Sequence, residues 1–238
     1  MAFEPGNRFG VRSSAIPQVD IDVGLRQHML RVYNYMVLGL AFTGLVAYFA
    51  ASSGFYASIA HTPLIWVVML APLAFVLVLS FGIQRLNLST AQLLFWAFSA
   101  VMGLSMAGIF LVYTGASVAR VFFITSGTFA GMSLYGYTTK RDLTSMGSFM
   151  FMGLIGILIA SLVNIFMQSS ALYFAISVIG VIVFVGLTAW DTQRIKESYS
   201  EGDGDVIAGK KAIWGALELY LDFINLFVML LRLFGDRR

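Results

Sequence analysis

Long apolar stretches without a single charged residue divide the chain. No Asp, Glu, Lys or Arg occurs at positions 32–84, 86–119, 121–139 or 143–190. A transmembrane helix needs about 20 consecutive, mostly apolar residues, so stretches of this length are candidate spans. Turn-forming and polar residues separate seven such spans, at about 32–51, 64–83, 91–112, 118–138, 146–167, 172–190 and 212–234. The pattern predicts an all-α, polytopic membrane helix bundle with seven transmembrane helices.

The composition agrees with a membrane location. Hydrophobic residues make up 59% of the 238 residues and charged residues 11%, whereas soluble domains contain about 45–50% and about 25%. The chain has no cysteine, which excludes disulfides and thiolate nucleophiles. Its two histidines, His28 and His61, give no support for a metal site or a catalytic triad. The net charge of +3 comes without a basic, aromatic-rich patch, so nucleic-acid binding is not expected.

The first 30 residues are polar and rich in turn formers, and they lack the apolar core of a secretory signal. They are predicted to form a cytoplasmic tail, residues 1–30. The remaining residues, 31–238, are predicted to form one seven-helix transmembrane domain. No lipidation motif accompanies them, which favours a bacterial cytoplasmic (inner) membrane as the location.

Basic residues set the predicted orientation. With the amino terminus inside, most of the 15 basic residues fall in the tail and the inner loops, and the outer loops contain only Arg120. Basic residues usually collect on the cytoplasmic side of a membrane protein. Those at the carboxyl end do not follow this rule, because seven spans place them outside. A re-entrant last helix would return them to the inside. The segment 212–234 is long enough to cross the membrane, and we expect it to do so.

Three acidic residues fall where lipid is expected. Glu218 and Asp222 lie within the last span, and Asp191 lies at the inner end of the sixth. A carboxylate at the centre of a membrane helix costs about 3 kcal/mol or more, and such residues usually face the bundle interior and serve a function. The alternative is a buried carboxylate that only joins helices through hydrogen bonds.

Spacing places several polar residues on one face of the last span. Lys211, Glu218, Asp222 and Asn225 follow one another at intervals of seven, four and three residues. Two carboxyl groups close together in a low-dielectric interior cannot both ionise easily, so they tend to share one proton. They also offer the oxygen ligands that Ca²⁺ prefers. Depth along the helices slightly favours Glu218 over Asp222 as the neighbour of Asp191, without deciding between them.

Two segments resemble a known family. The run GLTAWDTQRIK at 186–196 is similar to the signature of the transmembrane Bax-inhibitor-motif family. The runs ALELYLDFINLF at 216–227 and LLRLFG at 230–235 are similar to the last helix of that family. The motifs occur in the family's order and separation, and with the span count the resemblance covers nearly the whole chain after residue 20.

The resemblance implies a seven-helix bundle with the last helix at its centre. In bacterial members, two aspartates on the sixth and seventh helices share a proton, sense pH and gate a Ca²⁺ leak, and their positions match Asp191 and Asp222. An arginine on the second helix latches the closed state by pairing with the first aspartate. Arg85 corresponds to it by a looser alignment, and an ordinary boundary arginine is the alternative interpretation. This chain departs from the pattern at Trp190, where many relatives have Tyr, and at Glu218, an added carboxylate that we expect to modulate the pair.

We therefore predict a pH-sensitive calcium leak channel without enzyme activity or a resident cofactor. Asp191 and Asp222 are the predicted sensor, gate and transient Ca²⁺ ligands, with the lipid bilayer, Ca²⁺ and protons as partners. One alternative is a non-transporting regulator that binds a quality-control protease or another membrane protein. Another is an intramembrane aspartyl protease, in which Asp205 of the run Gly-Asp-Gly-Asp at 202–205 would join Asp191. Asp205 is surrounded by other charged residues, so a solvated acidic loop is the favoured interpretation of that run.

Overall fold

The computed structural model describes the backbone from residue 18 and the side chains from residue 23 to the end of the chain. All regular structure in this part is helical: α1 (Gln18–Ser52), α2 (Phe55–Ala60), α3 (Leu64–Gly82), α4 (Leu88–Met106), α5 (Ile109–Val112), α6 (Gly115–Thr138), α7 (Thr144–Met167), α8 (Ser170–Glu197) and α9 (Asp205–Phe234). Each predicted span coincides with a long helix, except that the third is interrupted between α4 and α5. Most of the predicted tail, residues 1–17, lies outside the described residues, and its remainder is the beginning of α1.

Five helical segments of the described chain are long and apolar enough to cross a membrane, namely Val23–Ser52, Leu64–Gly82, Leu88–Val112, Thr144–Met167 and Ser170–Glu197. Their outward faces carry large exposed apolar side chains, such as Phe81 and Phe166. Exposed apolar surface on this scale is stable in lipid rather than in water. The predicted all-helical membrane protein is therefore confirmed. Helices α6 and α9, which correspond to the other two predicted spans, are not among these five.

Helix α9 is buried along most of its length and packs against α8, α1, α6 and α4. Tyr220 lies at its middle and is fully buried. The Tyr220 hydroxyl forms a 2.6 Å hydrogen bond with Thr43 Oγ1 on α1, and its ring contacts Phe98 on α4 at a centroid distance of 5.0 Å. A polar group held this far from water needs such a partner. These contacts join α1 and α4 to the apolar face of α9.

Small residues allow α6, α7 and α8 to approach closely. A Cβ atom at Gly136 of α6 would overlap the backbone carbonyl of Ala189 on α8. The ring of Trp190, the next residue of α8, packs directly on Gly147 of α7. Close backbone packing of this kind holds helices together where lipid removes the hydrophobic drive between them. Both contacts fix the part of α8 that precedes Asp191.

Helix α9 runs without interruption from one end of the bundle to the other. Its first turn follows the α8–α9 connection, and its last residues lie beside the α5–α6 connection. There the backbone N–H of Thr114 donates to the carbonyl of Asp236 at 3.0 Å, and Tyr113 and Arg237 form an isolated antiparallel β-bridge. Arg120 of α6 forms a 2.9 Å ion pair with Asp236. Within the described residues, the last helix does not turn back on itself.

The polar stretch 191–211, between the sixth and seventh predicted spans, is predicted from the sequence to be a loop, and this prediction is wrong in its extent. Helix α8 continues to Glu197, and α9 begins at Asp205, so the connection contains only residues 198–204. Two interactions favour the longer helix. Arg194 and Lys196 lie in its last turn, where cations interact favourably with the helix dipole, and Lys196 Nζ donates to the carbonyl of Tyr137 at 2.9 Å.

Gln193, on this helical extension, joins α8 to the α6–α7 connection. Its side chain is buried, its Oε1 accepts from the backbone N–H of Leu143 at 2.8 Å, and its Nε2 donates to the carbonyl of Arg141 at 2.8 Å. We expect Gln193→Ala to lower the free energy of unfolding by about 1–3 kcal/mol, because a buried N–H loses its acceptor. Thermal unfolding in detergent micelles measures the change. The control Gln84→Ala, at an exposed turn residue, is expected to change stability by less than about 0.5 kcal/mol. Equal effects of the two substitutions would contradict this role.

Candidate functional site

Helices α8 and α9 bring the two predicted aspartates together. Asp191 is 7% exposed and Asp222 is 5% exposed. Their carboxyl groups lie within hydrogen-bonding reach of each other. Each aspartate belongs to the buried face of its helix, and α8 and α9 pack against each other over much of their lengths.

Arg194 provides the positive charge next to this pair. It follows Asp191 by three residues on α8, which places both side chains on the same face of the helix. Its Nη2 lies 3.2 Å from Asp191 Oδ1 and also pairs with Glu218 Oε1 on α9. The guanidinium is held over the ring of Trp190, 4.7 Å from the ring centroid. Arg194 thus connects the predicted pair to the predicted modulating residue.

The hydrogen-bond acceptors of the pair are not all satisfied. Among the described residues, no N–H or O–H group donates to Asp191 Oδ1 or to Asp222 Oδ2, although both atoms are buried. The 3.2 Å contact of Arg194 with Asp191 Oδ1 is an ion pair without the geometry of a hydrogen bond. Buried carboxyl oxygens normally have a partner. A proton held between the two carboxyl groups would supply one, and a bound cation would supply another.

The charges of the site also require a bound proton or a cation. Three carboxyl groups, those of Asp191, Glu218 and Asp222, lie near the guanidinium of Arg194, and no other Lys or Arg of the described residues forms an ion pair with them. Excess negative charge in a low-dielectric interior is unfavourable unless it is neutralised. The site therefore favours the uptake of protons or of a cation.

These groups face a cavity of about 710 Å³ between α7, α8 and α9. Polar residues of α9 line it along one stripe, at intervals of four, three and seven residues: Glu218, Asp222, Asn225 and Arg232. The wall on α7 is apolar, apart from Ser161. From Glu218 to Arg232 the stripe rises by roughly 21 Å along the helix axis, which is a large part of the thickness of a membrane.

The predicted stripe differs from the observed one at its inner end. Lys211 does not line the cavity. Instead its Nζ donates to Asp203 Oδ2 at 2.6 Å and to the carbonyl of Ser198 at 2.8 Å. Lys211 therefore closes the α8–α9 connection, and the polar face of α9 that meets the cavity begins at Glu218.

Arg85, the predicted latch, lies away from the pair in this conformation. It is exposed in the turn after α3, a helix that packs against α2 and α4. Within the described part of the chain, no carboxylate lies within 4.0 Å of it. Sequence reasoning missed Arg194 because it assigned that residue to a loop. The spacing of three residues between Asp191 and Arg194 would have revealed the contact once the helix was extended.

The site offers few ligands for a tightly bound metal. The described residues contain no group of three or more His, Cys, Asp or Glu side chains arranged to hold a metal ion. Calcium prefers six to eight oxygen ligands. Asp191 and Asp222 alone supply fewer oxygen atoms than that.

Asp205, the second aspartate of the protease alternative, is remote from the pair. It is exposed in the first turn of α9. Seventeen residues separate it from Asp222 on one continuous helix, a distance of roughly 25 Å along the axis. Two catalytic aspartates must meet in one site. The structure therefore does not place Asp205 where it could act with Asp191.

A family model and several known proteins match most of the chain. The family model described as "Inhibitor of apoptosis-promoting Bax1" matches residues 25–238. The "Inner membrane protein YbhL" of Escherichia coli strain K12 is 50% identical over 219 residues, covering 90% of this chain and 94% of that protein.

Two further relatives cover a similar share. The protein RP147 of Rickettsia prowazekii is 52% identical over 218 residues, covering 91% of this chain and 92% of that protein. The membrane protein M6_Spy0327 of Streptococcus pyogenes is 37% identical over 218 residues, covering 90% of this chain and 94% of that protein. The family resemblance of the two motifs and the predicted inner-membrane location are confirmed. The chain belongs to the Bax inhibitor family and is an integral inner-membrane protein.

Proposed function

We propose that this protein is a pH-sensitive calcium leak channel, in which Asp191 and Asp222 are both the proton sensor and the gate. The observation that supports the proposal best is the buried carboxyl pair, with an oxygen on each aspartate left without a donor, facing a cavity between helices. Structural carboxylates that only join helices are normally fully hydrogen-bonded. Acidic residues that face a cavity inside a membrane are typical of ion and proton pathways.

The proposal includes a seven-span topology with α9 at the centre and the amino terminus in the cytoplasm. The continuous course of α9 and its contacts with four other helices support it. In this topology the Asp191–Asp222 pair lies in the cytoplasmic half of the membrane. Arg232 lies near the outer end of the same cavity.

Protonation would act on the gate in two steps. With one proton on the pair, Arg194 balances one of the two negative charges that remain on the pair and Glu218. Loss of that proton adds a second uncompensated negative charge in a low-dielectric cavity, which attracts a divalent cation. A second proton removes the charge of Asp191, breaks its ion pair with Arg194 and weakens the attachment of α8 to α9.

Glu218 modulates this response by sharing Arg194 with Asp191. When Glu218 is charged it competes for the guanidinium, and when it is neutral Arg194 remains with Asp191 alone. In the described conformation Arg194 is the residue placed to hold the pair. A latch at Arg85 stays a prediction, which would require α3 to move towards α8.

Calcium flux into liposomes tests the proposal. We expect the flux of the wild-type protein to vary between acidic and mildly alkaline pH. Asp191→Asn and Asp222→Asn should each make the flux independent of pH within about twofold, because an amide cannot hold the shared proton. The matched control is Asp205→Asn, the same substitution at an exposed residue of α9, which should keep the wild-type pH profile.

Two results would contradict the proposal. The sensor role fails if both pair variants keep the wild-type pH dependence. The channel role fails if wild-type liposomes take up no more calcium than empty ones, and the non-transporting regulator would then be the better assignment.

A further inference from the structure

We infer that the groove between α1 and α6 binds one anionic phospholipid of the cytoplasmic leaflet. Both helices pack against α9, and between them lies a cavity of about 840 Å³ with Phe223 of α9 among its lining residues. The cavity shares no lining residue with the one that the Asp191–Asp222 pair faces. The inference rests on the proposed orientation, with the amino terminus in the cytoplasm, and not on calcium transport.

The length of the groove matches one leaflet of a membrane. On α1 it extends from Arg26 to Ala41, fifteen residues or roughly 22 Å. On α6, which runs in the opposite direction, it extends from Tyr137 to Phe122, the same number of residues. Half of a bilayer, headgroups included, measures about 20–22 Å. A lipid with its headgroup at the Arg26 end would therefore end its chains near the middle of the membrane.

The two ends of the groove differ in polarity. Arg26 and Tyr137 line its cytoplasmic end, and Lys196 adds a second positive charge there, 5.7 Å from the centre of the Tyr137 ring. Deeper in the membrane the lining is almost entirely apolar. A second cavity of about 300 Å³ adjoins the groove, shares Leu40, Phe122 and Phe223 with it and has no charged lining residue. This distribution fits an anionic headgroup at the Arg26 end and hydrocarbon beyond it.

Polar contacts connect this groove to α8. The Tyr33 hydroxyl, in the lining, forms a 2.6 Å hydrogen bond with Ser133 Oγ, which lies 3.0 Å from Thr192 Oγ1. Thr192 directly follows Asp191. These buried bonds are satisfied within the protein, so the headgroup does not need to supply partners for them. Arg26, at the exposed end, is the residue left to select the charge of the lipid.

Native mass spectrometry of the full chain in detergent, with added phosphatidylglycerol or phosphatidylcholine, tests the inference. We expect one phosphatidylglycerol per protein, bound more tightly than phosphatidylcholine. Arg26→Gln should weaken phosphatidylglycerol binding about fivefold and leave phosphatidylcholine binding unchanged, since one basic residue near an anionic headgroup contributes about that factor. Arg31→Gln is the matched control, since Arg31 is an exposed arginine of α1 that does not line the groove.

A bulky side chain in the groove should prevent the binding of phosphatidylglycerol and of phosphatidylcholine alike. Ala130 of α6 lines it, and Ala130→Trp is expected to abolish lipid binding, whereas Ala74→Trp on the exposed face of α3 should have no effect. If the tryptophan variant does not fold, the comparison of Arg26→Gln with Arg31→Gln still tests the inference. The inference is overturned if wild type binds the two lipids equally, if both arginine variants lose affinity alike, or if folded Ala130→Trp keeps its lipid. A stable dimer that carries no lipid would assign the groove to a second copy and would also overturn it.

Discussion

Replacing Arg194 by glutamine is expected to raise the calcium leak at neutral pH about tenfold. The substitution removes the one positive charge of the described residues that contacts both Asp191 and Glu218. Arg194 is 46% exposed in its side chain, so solvent screening reduces the strength of each ion pair. Loss of the counter-charge for two largely buried carboxylates still shifts the balance between closed and open states by about one power of ten. Flux into calcium-dye-loaded liposomes measures the effect.

Arg85→Gln is the matched control, because it removes the same group from the arginine that the family resemblance indicated. If Arg194 holds the closed state, Arg85→Gln should leave the leak within about twofold of wild type, and Arg194→Lys should restore part of the closure. If Arg85→Gln raised the leak tenfold and Arg194→Gln left it unchanged, the latch would be Arg85 rather than Arg194. The proposed channel would survive that result, and only the assignment of the latch would change.

Gly136→Ala is expected to produce the largest loss of stability, about 3 kcal/mol. The added methyl group would overlap the carbonyl oxygen of Ala189, and backbone of a neighbouring helix cannot rotate away as a side chain can. Overpacking costs typically about 1–3 kcal/mol, and a clash with backbone belongs at the upper end. The gain in helix propensity from glycine to alanine, about 1 kcal/mol at most, does not offset it. The apparent melting temperature in detergent micelles measures the loss.

Gly131→Ala is a control on the same helix. An added Cβ there meets no atom within 4 Å among the described residues, so the substitution should leave stability unchanged or raise it slightly. If both alanine variants melt at the same temperature as wild type, the close contact of α6 with α8 does not limit stability.

The sequence predicted the helices well because lipid imposes a simple requirement. Every backbone polar group within the membrane must be satisfied inside the protein, so a long charge-free stretch has little choice but to be helical. The third span shows the limit of this reasoning. Its apolar run continues through residue 112, yet the helix breaks between Met106 and Ile109, where Gly108 packs closely against the hydroxyl group of Tyr56. A contact with a distant segment is not visible in hydrophobicity.

The neighbours of Asp191 show what residue counting can and cannot provide. Depth along the helices slightly favoured Glu218, and the family resemblance favoured Asp222. In the structure Asp222 lies against Asp191, and Glu218 lies one turn away, joined to it through Arg194. Depth depends only on the rise per residue, whereas contact also depends on the face and tilt of each helix. Those follow from packing, which a single sequence does not specify.

The α1–α6 groove could not be predicted for the same reason. Its lining comes from three helices that are far apart in the chain, and their residues are as apolar as the rest of the lipid-facing surface. Arg26 carried no separate signal, because basic residues at the cytoplasmic boundary are expected in any inner-membrane protein.

The pairing of the last residues with the α5–α6 connection has a practical consequence for handling the protein. The backbone N–H of Thr114 donates to the carbonyl of Asp236, and the backbone N–H of Arg238 donates to the carbonyl of Val112. Asp236 also forms an ion pair with Arg120. An affinity tag or fluorescent reporter that follows Arg238 directly would adjoin these bonds and would pull on the start of α6.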